Sequence, residues 1–254
     1  MNYRFSFLCM VALAACSSQQ NDPLTQTEYC TEYAQDLCEG IVTACLIPEL
    51  NCTTAHLAEC TSQAQEQASA GRVFLPSNAE AYLNKVNANF SKLNQGSVAL
   101  GVLDYQSMIQ ARDKVYRGTA AINAPCPNND DADCIDGLVC DKGYCGTAKM
   151  VSQGGAGCAN IGEYCSLGYY CTEASGVYSC ATKVGLGGAC SAVVPCLENL
   201  RCLDNVCTAQ AEIGMACSVD QDCNSGFCHP YAGKCAKDIR FADGSAACLA
   251  LSGS

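Results

Sequence analysis

The chain has 254 residues, of which 24 are cysteine and only 15% are charged. So many cysteines in a chain with few charges are typical of an exported scaffold held together by disulfides. The formal net charge of −11 and the scattering of 14 Lys and Arg residues along the chain argue against a nucleic-acid-binding protein, because phosphate contacts require clustered basic side chains.

Residues 1–15 have the features of a secretory signal peptide. Arg4 precedes the apolar run FSFLCMVALAA, which is too short to span a bilayer. The run ends in LAAC, before polar residues, and this stretch resembles the bacterial lipobox, in which the cysteine is diacylated and becomes the mature N-terminus. The resemblance implies that Cys16 attaches the protein to membrane lipid, that Ser17 directs it to the outer membrane, and that residues 16–23 form a tether. The alternative is an ordinary signal-peptidase site, with Cys16 free or paired.

The next region, residues 24–120, is predicted to form a small bundle of four helices. Apolar side chains recur every four residues from Tyr29 to Cys45, which indicates the first helix. The second helix is predicted to begin at a threonine cap, either Thr53 or Thr54.

The third and fourth helices are predicted from a capping motif and from periodicity. Ser77 and Glu80 follow Pro76 and fit a capping box, in which hydroxyl and carboxylate satisfy each other's backbone N–H groups. The fourth helix is predicted from about Asp104 to Arg117, where apolar side chains recur in helical register.

This region contains an odd number of cysteines, namely Cys30, Cys38, Cys45, Cys52 and Cys60. Cys248, in the predicted C-terminal tail 238–254, is the remaining unassigned cysteine, and a disulfide from it to the helical region would balance the count. Loss of Cys9 with the leader and lipidation of Cys16 would leave 22 cysteines, enough for eleven disulfides in an oxidising compartment.

Beyond residue 120 the cysteines occur in four groups of four, which indicates an internal repeat. We define four modules by residues 121–147, 148–182, 183–209 and 210–237. Their cysteines are Cys126, Cys134, Cys140 and Cys145; Cys158, Cys165, Cys171 and Cys180; Cys190, Cys196, Cys202 and Cys207; and Cys217, Cys223, Cys228 and Cys235. Units this small cannot bury a sufficient core, so disulfides are expected to replace it. Four cysteines allow three pairings, and we favour first with third and second with fourth.

Glycine or asparagine lies three residues before the first cysteine of each module, at Asn123, Gly155, Gly187 and Gly214. Both residue types tolerate positive φ, so the same turn is predicted in each module. Turn residues between the third and fourth cysteines predict a tight hairpin. The predicted fold class is therefore α plus small disulfide-rich modules: an N-terminal helical bundle followed by an array of four β-hairpin repeats, each with four cysteines.

The pattern G-x-x-C…D-x-D-C-x-x-G-L-x-C-D-x-G-x-C occurs at residues 123–145, with Asn in place of the first Gly. It resembles the Dickkopf N-terminal cysteine-rich repeat, which in animals belongs to secreted signalling antagonists. With the lipobox and the helical region before VYRGTAAINAPC, the chain is similar to bacterial lipoproteins that carry such repeats, as in myxobacteria. Modules 2 and 3 depart from the pattern because they lack its acidic pair, and no function transfers with the resemblance.

The acidic pairs Asp131/Asp133 and Asp220/Asp222 do not fit an EF-hand, because the required glycine and final glutamate are missing. Another calcium geometry remains an alternative to a solvated acidic turn, and it would use Asp130, Asp131, Asp133 and Asp136. Because no C-x-x-C occurs, the sequence argues against a zinc ribbon and a thioredoxin-type redox site. The acidic edge is also a candidate ligand contact, since the modules without it do not need it to form.

Catalytic motifs are absent from the sequence: there is no nucleophile elbow, H-E-x-x-H or P-loop, and the only histidines are His56 and His229. His56 is expected to be exposed or half-buried on its helix, and His229 to lie in a variable loop.

We therefore predict a non-catalytic, lipid-anchored envelope protein without cofactor or metal, whose modules bind an envelope or extracellular protein or a glycan. The candidate aromatic contacts in the modules are Tyr169, Tyr170, Tyr178, Phe227 and Tyr231. Of these, Tyr169 and Phe227 are favoured as small module cores. The alternative is an inhibitor that blocks a hydrolase with the loop 172–179, and an enzymatic activity would need a functional group that the sequence does not offer.

Overall fold

The computed structural model describes residues 22–94, 99–151 and 157–251. The predicted signal peptide, Cys16 and most of the tether lie outside the described residues. Within the described ranges the chain forms five α-helices and seven two-stranded sheets. No helix in these ranges is both long enough and apolar enough to cross a bilayer.

The helices are α1 (Gln26–Cys45), α2 (Glu49–Ser69), α3 (Pro76–Asn94), α4 (Val102–Arg112) and, near the C-terminus, α5 (Ala246–Leu251). A capping box starts α1: the hydroxyl of Thr25 accepts the Glu28 N–H at 3.2 Å, and the Glu28 carboxylate accepts the Thr25 N–H at 2.9 Å. Leu46 ends the helix in the left-handed conformation.

Two helix starts differ from the predictions. α2 begins at Glu49, so Thr53 lies one turn inside the helix, where its hydroxyl donates to the Glu49 carbonyl oxygen. α3 begins at Pro76, whose fixed φ suits a first helical position. Ser77 and Glu80 are therefore both helical, and the capping box predicted there was wrong.

The predicted end of the fourth helix was also wrong. α4 ends at Arg112, because the chain then turns and forms the strand β3 (Tyr116–Arg117). This strand pairs antiparallel with β1 (Val73–Phe74). Arg117 therefore belongs to a strand and not to the helix, and its side chain contacts module 1.

The helices share one core, in which α1 packs on α2 and α3, and α3 packs on α4. The stripe predicted on α1 faces this core, with Tyr29, Ile41 and Cys45 buried. Gly40 lies where α1 meets α3, and a side chain there would overlap the backbone carbonyl of Phe90. The prediction of a helical N-terminal region is confirmed.

The segment predicted as a C-terminal tail folds back into this core. Its strand β14 (Asp238–Arg240) pairs antiparallel with β2 (Ala99–Gly101), and Ile239 and Phe241 are buried among the helices. The disulfide Cys45–Cys248 then fastens α5 to α1. The disulfide from Cys248 to the helical region, which would balance the cysteine count, is therefore confirmed, but the short apolar stretches of the tail were not recognised as core.

The remaining cysteines of the helical region also form disulfides. Cys30 is bonded to Cys60, and Cys38 to Cys52, so that both bonds tie α1 to α2. The five cysteines of the helical region and Cys248 are therefore all paired.

Each module contains a hairpin in which the third cysteine lies opposite the fourth. The strands of modules 1 and 2 are β4 (Val139–Asp141), β5 (Tyr144–Gly146), β6 (Lys149–Val151), β7 (Glu163–Cys165), β8 (Tyr169–Ala174) and β9 (Val177–Thr182). Those of modules 3 and 4 are β10 (Leu200–Leu203), β11 (Val206–Ala209), β12 (Cys228–His229) and β13 (Lys234–Cys235). The hairpins are β4–β5, β8–β9, β10–β11 and β12–β13.

The disulfides of every module join the first cysteine to the third and the second to the fourth, which is the pairing favoured from the sequence. The bonds are Cys126–Cys140, Cys134–Cys145, Cys158–Cys171, Cys165–Cys180, Cys190–Cys202, Cys196–Cys207, Cys217–Cys228 and Cys223–Cys235.

A left-handed turn precedes the first cysteine, as predicted. Asn123, Gly187 and Gly214 have φ values of 66°, 78° and 90°, and each donates its N–H to the carbonyl oxygen of the fourth cysteine of its module at 2.7–2.8 Å. Gly155 lies outside the described residues. The turn thus closes the module by tying its first segment to its last strand.

Candidate binding sites

The acidic pairs hold backbone amides of their own modules. Asp131 Oδ1 accepts the N–H of Cys140 at 2.7 Å, and Asp220 Oδ1 accepts the N–H of Cys228 at 2.8 Å. In both modules the partner is the third cysteine. The first carboxylate of each pair therefore positions one strand of the hairpin, and the interpretation as a free acidic edge was wrong.

The second carboxylate of each pair binds the backbone just after the first cysteine. Asp133 Oδ2 accepts the Asn128 N–H at 2.7 Å, and Asp222 Oδ2 accepts the Ser218 N–H at 2.8 Å. The Asn128 hydrogen bond is partly buried, where an unpaired N–H group would cost free energy on folding, whereas the Ser218 hydrogen bond is exposed.

Modules 2 and 3 satisfy the same backbone segment with other side chains. Glu163 accepts the Asn160 N–H at 3.0 Å in module 2, and the Ser191 hydroxyl accepts the Val194 N–H at 3.2 Å in module 3. The acidic pair is thus one of several solutions to a common structural need.

Arg72 lies between two carboxylates of module 1. Its Nη2 atom is 2.8 Å from Asp130 Oδ2 and 3.1 Å from Asp133 Oδ1. Burial alone raises the pKa of the Asp133 carboxyl, but hydrogen bonds from Asn128 and Arg72 outweigh burial and hold the pKa below its usual range. A guanidinium therefore occupies the position that the calcium alternative gave to a metal ion.

A second arginine completes this joint between the helical region and module 1. Arg117 is buried, and its Nη2 donates to the carbonyl oxygens of Ile135 and Leu138 at 3.3 and 3.0 Å. Two arginine side chains therefore hold module 1 to the helical region, together with backbone hydrogen bonds such as that from Ile135 N–H to the Ala120 carbonyl oxygen.

Module 4 is held to the helical region by an apolar contact. Phe227 is buried in the helical core, where its ring meets that of Tyr105 edge-to-face at 5.8 Å. The expectation that Phe227 forms the core of its own module was therefore wrong. Tyr231, another predicted contact residue, lines a cavity in the helical region and is 37% exposed.

Each module is also joined to the next by hydrogen bonds. Lys142 Nζ of module 1 donates to the carbonyl oxygens of Cys158 and Asn160 at 2.8 and 3.1 Å. Glu198 of module 3 accepts the N–H of Gly168 at 2.8 Å. Gln210 of module 4 donates to the Glu198 carbonyl oxygen at 3.3 Å. The array is thus fastened at both ends and at each internal boundary.

Modules 2 and 3 carry the most exposed aliphatic side chains of the array. Leu167, Leu186 and Val193 are 81%, 73% and 76% exposed. The predicted contact residues Tyr169, Tyr170 and Tyr178 are half-buried. Leu167, Leu186 and Val193 are therefore the candidate contact residues of these two modules.

The loop 172–179, which the inhibitor alternative would use, is the end of the β8–β9 hairpin. Ser175 and Gly176 form its turn with positive φ, and Ala174 pairs with Val177. The residues from Glu173 to Val177 are exposed, so the hairpin offers a closed tip to solvent.

The two histidines lie in different surroundings. His56 is only 4% exposed, which corrects the expectation of an open position, and its Nε2 is 2.9 Å from the Leu251 carbonyl oxygen. His229 belongs to strand β12, where its Nδ1 accepts the N–H of Tyr231, and burial lowers its pKa. Neither histidine is hydrogen-bonded to a side chain that could act as a nucleophile.

Close groups of cysteine side chains, one of them with His56, occur among the described residues. Their sulfurs are all in disulfides, so they provide no thiolate for a metal ion.

Two concave sites adjoin in the helical region. One is an open polar cleft beside the joint with module 1, and the other is a smaller cavity between the helices. Tyr29, Gln63 and Arg112 line both. The sequence did not suggest the cavity, because its walls come from α1 to α4, from module 4 and from the C-terminal segment.

No family model matches the chain, and neither a curated protein nor a solved structure gives a significant match. The resemblance to Dickkopf-type repeats and to lipoproteins therefore stays a prediction.

Proposed function

We propose that the protein is a non-catalytic binding protein of the cell envelope, attached to membrane lipid through Cys16, which presents the array of modules to a protein partner. The eleven disulfides of the described residues suit an oxidising, extracytoplasmic compartment. A protein is favoured over a glycan as the partner, because aliphatic side chains gain mainly from apolar burial.

One observation carries the proposal: the outer modules are docked, and the middle modules are exposed. Module 1 is fixed by Arg72 and module 4 by Phe227, so modules 2 and 3 form the span between them. This span is braced by Glu198 and carries the exposed Leu186 and Val193. A preorganised surface loses little entropy when it binds, which favours recognition by this part of the molecule.

The test is capture of the partner from the native envelope by cross-linking. A variant with Leu167→Ser, Leu186→Ser and Val193→Ser should lose the cross-linked species that the parent protein gives. The matched control replaces the equally exposed helical-region residues Leu46, Leu50 and Leu103 by serine and should keep it. Capture by both variants, or by neither, would contradict a binding surface on modules 2 and 3.

The anchor is tested separately. Cys16→Ala should abolish incorporation of labelled fatty acid and move the protein out of the detergent phase. Continued labelling of this variant would refute lipidation at Cys16.

A further inference from the structure

The cavity between the helices has a volume of about 220 Å³. A cavity of about 150 Å³ in a protein core is large enough to hold benzene, so this one has room for a single ring or branched chain with a short polar arm. It is too small for a folded peptide or a complex glycan. A ligand here must be a small molecule.

The walls of the cavity are largely aromatic. Tyr33 and Tyr82 stack with their ring centroids 5.9 Å apart, and Tyr29 lies 6.4 Å from both. Phe90 and Phe241 meet edge-to-face at 5.8 Å on the same lining. These rings favour an apolar body that they can enclose.

Charged groups of both signs lie at the cavity. Arg112 and Glu59 belong to its lining, and their side chains are 51% and 59% exposed, as expected at a mouth. Both charges change the pKa of the same two hydroxyl groups, those of Tyr33 and Tyr231. Burial is the main cause that raises the pKa of Tyr33 and Tyr231, while Glu59 raises it further and Arg112 lowers it. A cationic and an anionic group therefore flank one aromatic chamber.

The ring of His56 lies beside Glu59 at this cavity. A carbonyl oxygen only accepts hydrogen bonds, so the Nε2 atom that faces Leu251 carries a proton. The buried Nδ1 has no hydrogen-bond partner and lies 3.4 Å from Glu59 Oε2. The Glu59 carboxylate, held beside this ring at the cavity, is the acceptor that a ligand with several N–H donors would satisfy.

Arg112 provides hydrogen-bond donors at the same cavity. Arg112 donates from Nε and Nη2 to Asp113 Oδ1 at 3.2 and 3.0 Å, but this pair is exposed and so contributes little to stability. Asp113 lines the neighbouring cleft, so the planar guanidinium would turn from Asp113 to a ligand carboxylate in the cavity, and this exchange would cost little.

We propose that this cavity binds a small zwitterion, a free α-amino acid with an apolar side chain. The side chain occupies the aromatic chamber, the carboxylate binds Arg112, and the ammonium group donates to Glu59. The site lies in the helical region and does not depend on the proposed surface of modules 2 and 3.

The experiment is titration calorimetry of the purified protein, with its disulfides formed, against three probes. L-Phenylalanine has both charges, 2-phenylethylamine lacks the carboxylate, and 3-phenylpropanoate lacks the ammonium group. L-Phenylalanine should bind with a dissociation constant of about 1 mM or tighter, and each singly charged probe about tenfold more weakly, since one charge-assisted hydrogen bond is worth roughly that factor.

Variants then assign each charge. Arg112→Gln should weaken L-phenylalanine about tenfold and leave 2-phenylethylamine unchanged, and Glu59→Gln should do the same while leaving 3-phenylpropanoate unchanged. Arg240→Gln and Glu39→Gln remove exposed charges of the same region outside the cavity and should change nothing. Circular dichroism and intact mass establish that each variant is folded and oxidised.

The proposal is overturned if L-phenylalanine does not bind, or if either singly charged probe binds as tightly as L-phenylalanine does. It is equally overturned if the control variants weaken binding as much as Arg112→Gln and Glu59→Gln do.

Discussion

In the helical region the buried side chains include Tyr82, Phe90 and Ile41, whereas in module 1 the fully enclosed residues are Cys134 and Cys145. The helices bury aromatic and aliphatic surface and carry disulfides in addition. Within the modules the buried clusters consist mainly of cysteines, while most larger apolar side chains are exposed, so sulfur takes the place of a core. The same bond therefore reinforces a core in one region and replaces it in the other.

The two joints between these regions differ in the same way. Module 1 meets the helices through the guanidinium groups of Arg72 and Arg117, and module 4 meets them through the ring of Phe227. One joint depends on charge and hydrogen bonds, and the other on apolar burial. One substitution at each joint removes its main side chain, which makes the contrast testable.

Phe227→Ala should have the largest effect. Truncating a buried phenylalanine costs about 3–5 kcal/mol, and this ring is shared between module 4 and the helical core. We expect module 4 to detach and become sensitive to protease, with a lower melting temperature for the whole protein. The control Leu200→Ala truncates an apolar residue at a corresponding place in module 3, which is only half-buried, and should cost much less. Equal losses in the two variants would contradict the apolar joint.

Removal of one disulfide from each region should come next. Cys134–Cys145 and Cys38–Cys52 close loops with sequence separations of 11 and 14. Loss of either bond gives the unfolded chain a similar amount of conformational freedom and should lower the free energy of unfolding by about 2–4 kcal/mol. The double serine variant of module 1 should lose the structure of that module, because Cys126–Cys140 alone then holds it, while the helical variant should keep its native fold. Limited proteolysis with mass spectrometry reports which segment is cut. Protection of module 1 in its variant would show that sulfur is not its core.

Arg72→Met tests the charged joint. It leaves the buried Asp133 with only its Asn128 hydrogen bonds, and we expect a loss of about 1–3 kcal/mol in the free energy of unfolding. Arg240→Met removes an exposed pair with Asp238 and should cost close to nothing. Denaturant unfolding of both variants measures the difference, and a loss no greater than that of Arg240→Met would mean that Arg72 does not hold the joint.

The interior of the modules could be predicted from the sequence because its causes are local. Cysteine spacing and the left-handed turns at Asn123, Gly187 and Gly214 involve residues close in the chain. The role of the acidic pairs, in contrast, could not be predicted from local sequence. Asp131 and Asp133 were visible as a pattern, but their role depends on which backbone N–H groups the folded module brings to them.

The joints and the cavity could not be predicted because their causes are distant. Phe227 occupies the same place in its module as Leu138 does in module 1, and nothing nearby distinguishes a residue that inserts into the helices. His56 is buried by the carbonyl end of α5, 195 residues away in the chain. Such contacts follow from the return of the C-terminal segment, which the apolar pattern of the sequence did not reveal.

The boundary between modules 2 and 3 should give the smallest effect, since it is neither a buried ion pair nor an apolar contact. Glu198 is partly exposed and accepts hydrogen bonds from the Gly168 N–H at 2.8 Å and from Lys183 Nζ at 2.7 Å. The Gly168 hydrogen bond and then the lysine lower the pKa of Glu198 from 4.5 to about 2.

Because the pKa of Glu198 is lowered in the folded protein, its stabilisation is present above pH 4.5 and is lost as the pH falls towards about 2. The protection of the Gly168 amide against hydrogen exchange should therefore decrease in this window. The decrease should be no more than about fivefold, because solvent screens the interactions of Glu198. Gly187 donates to the Cys207 carbonyl oxygen, so its protection should stay constant, and Glu198→Gln should remove the pH dependence at Gly168. Parallel changes at both amides would indicate acid unfolding of the whole array, and the boundary would then be no weaker than the modules that it joins.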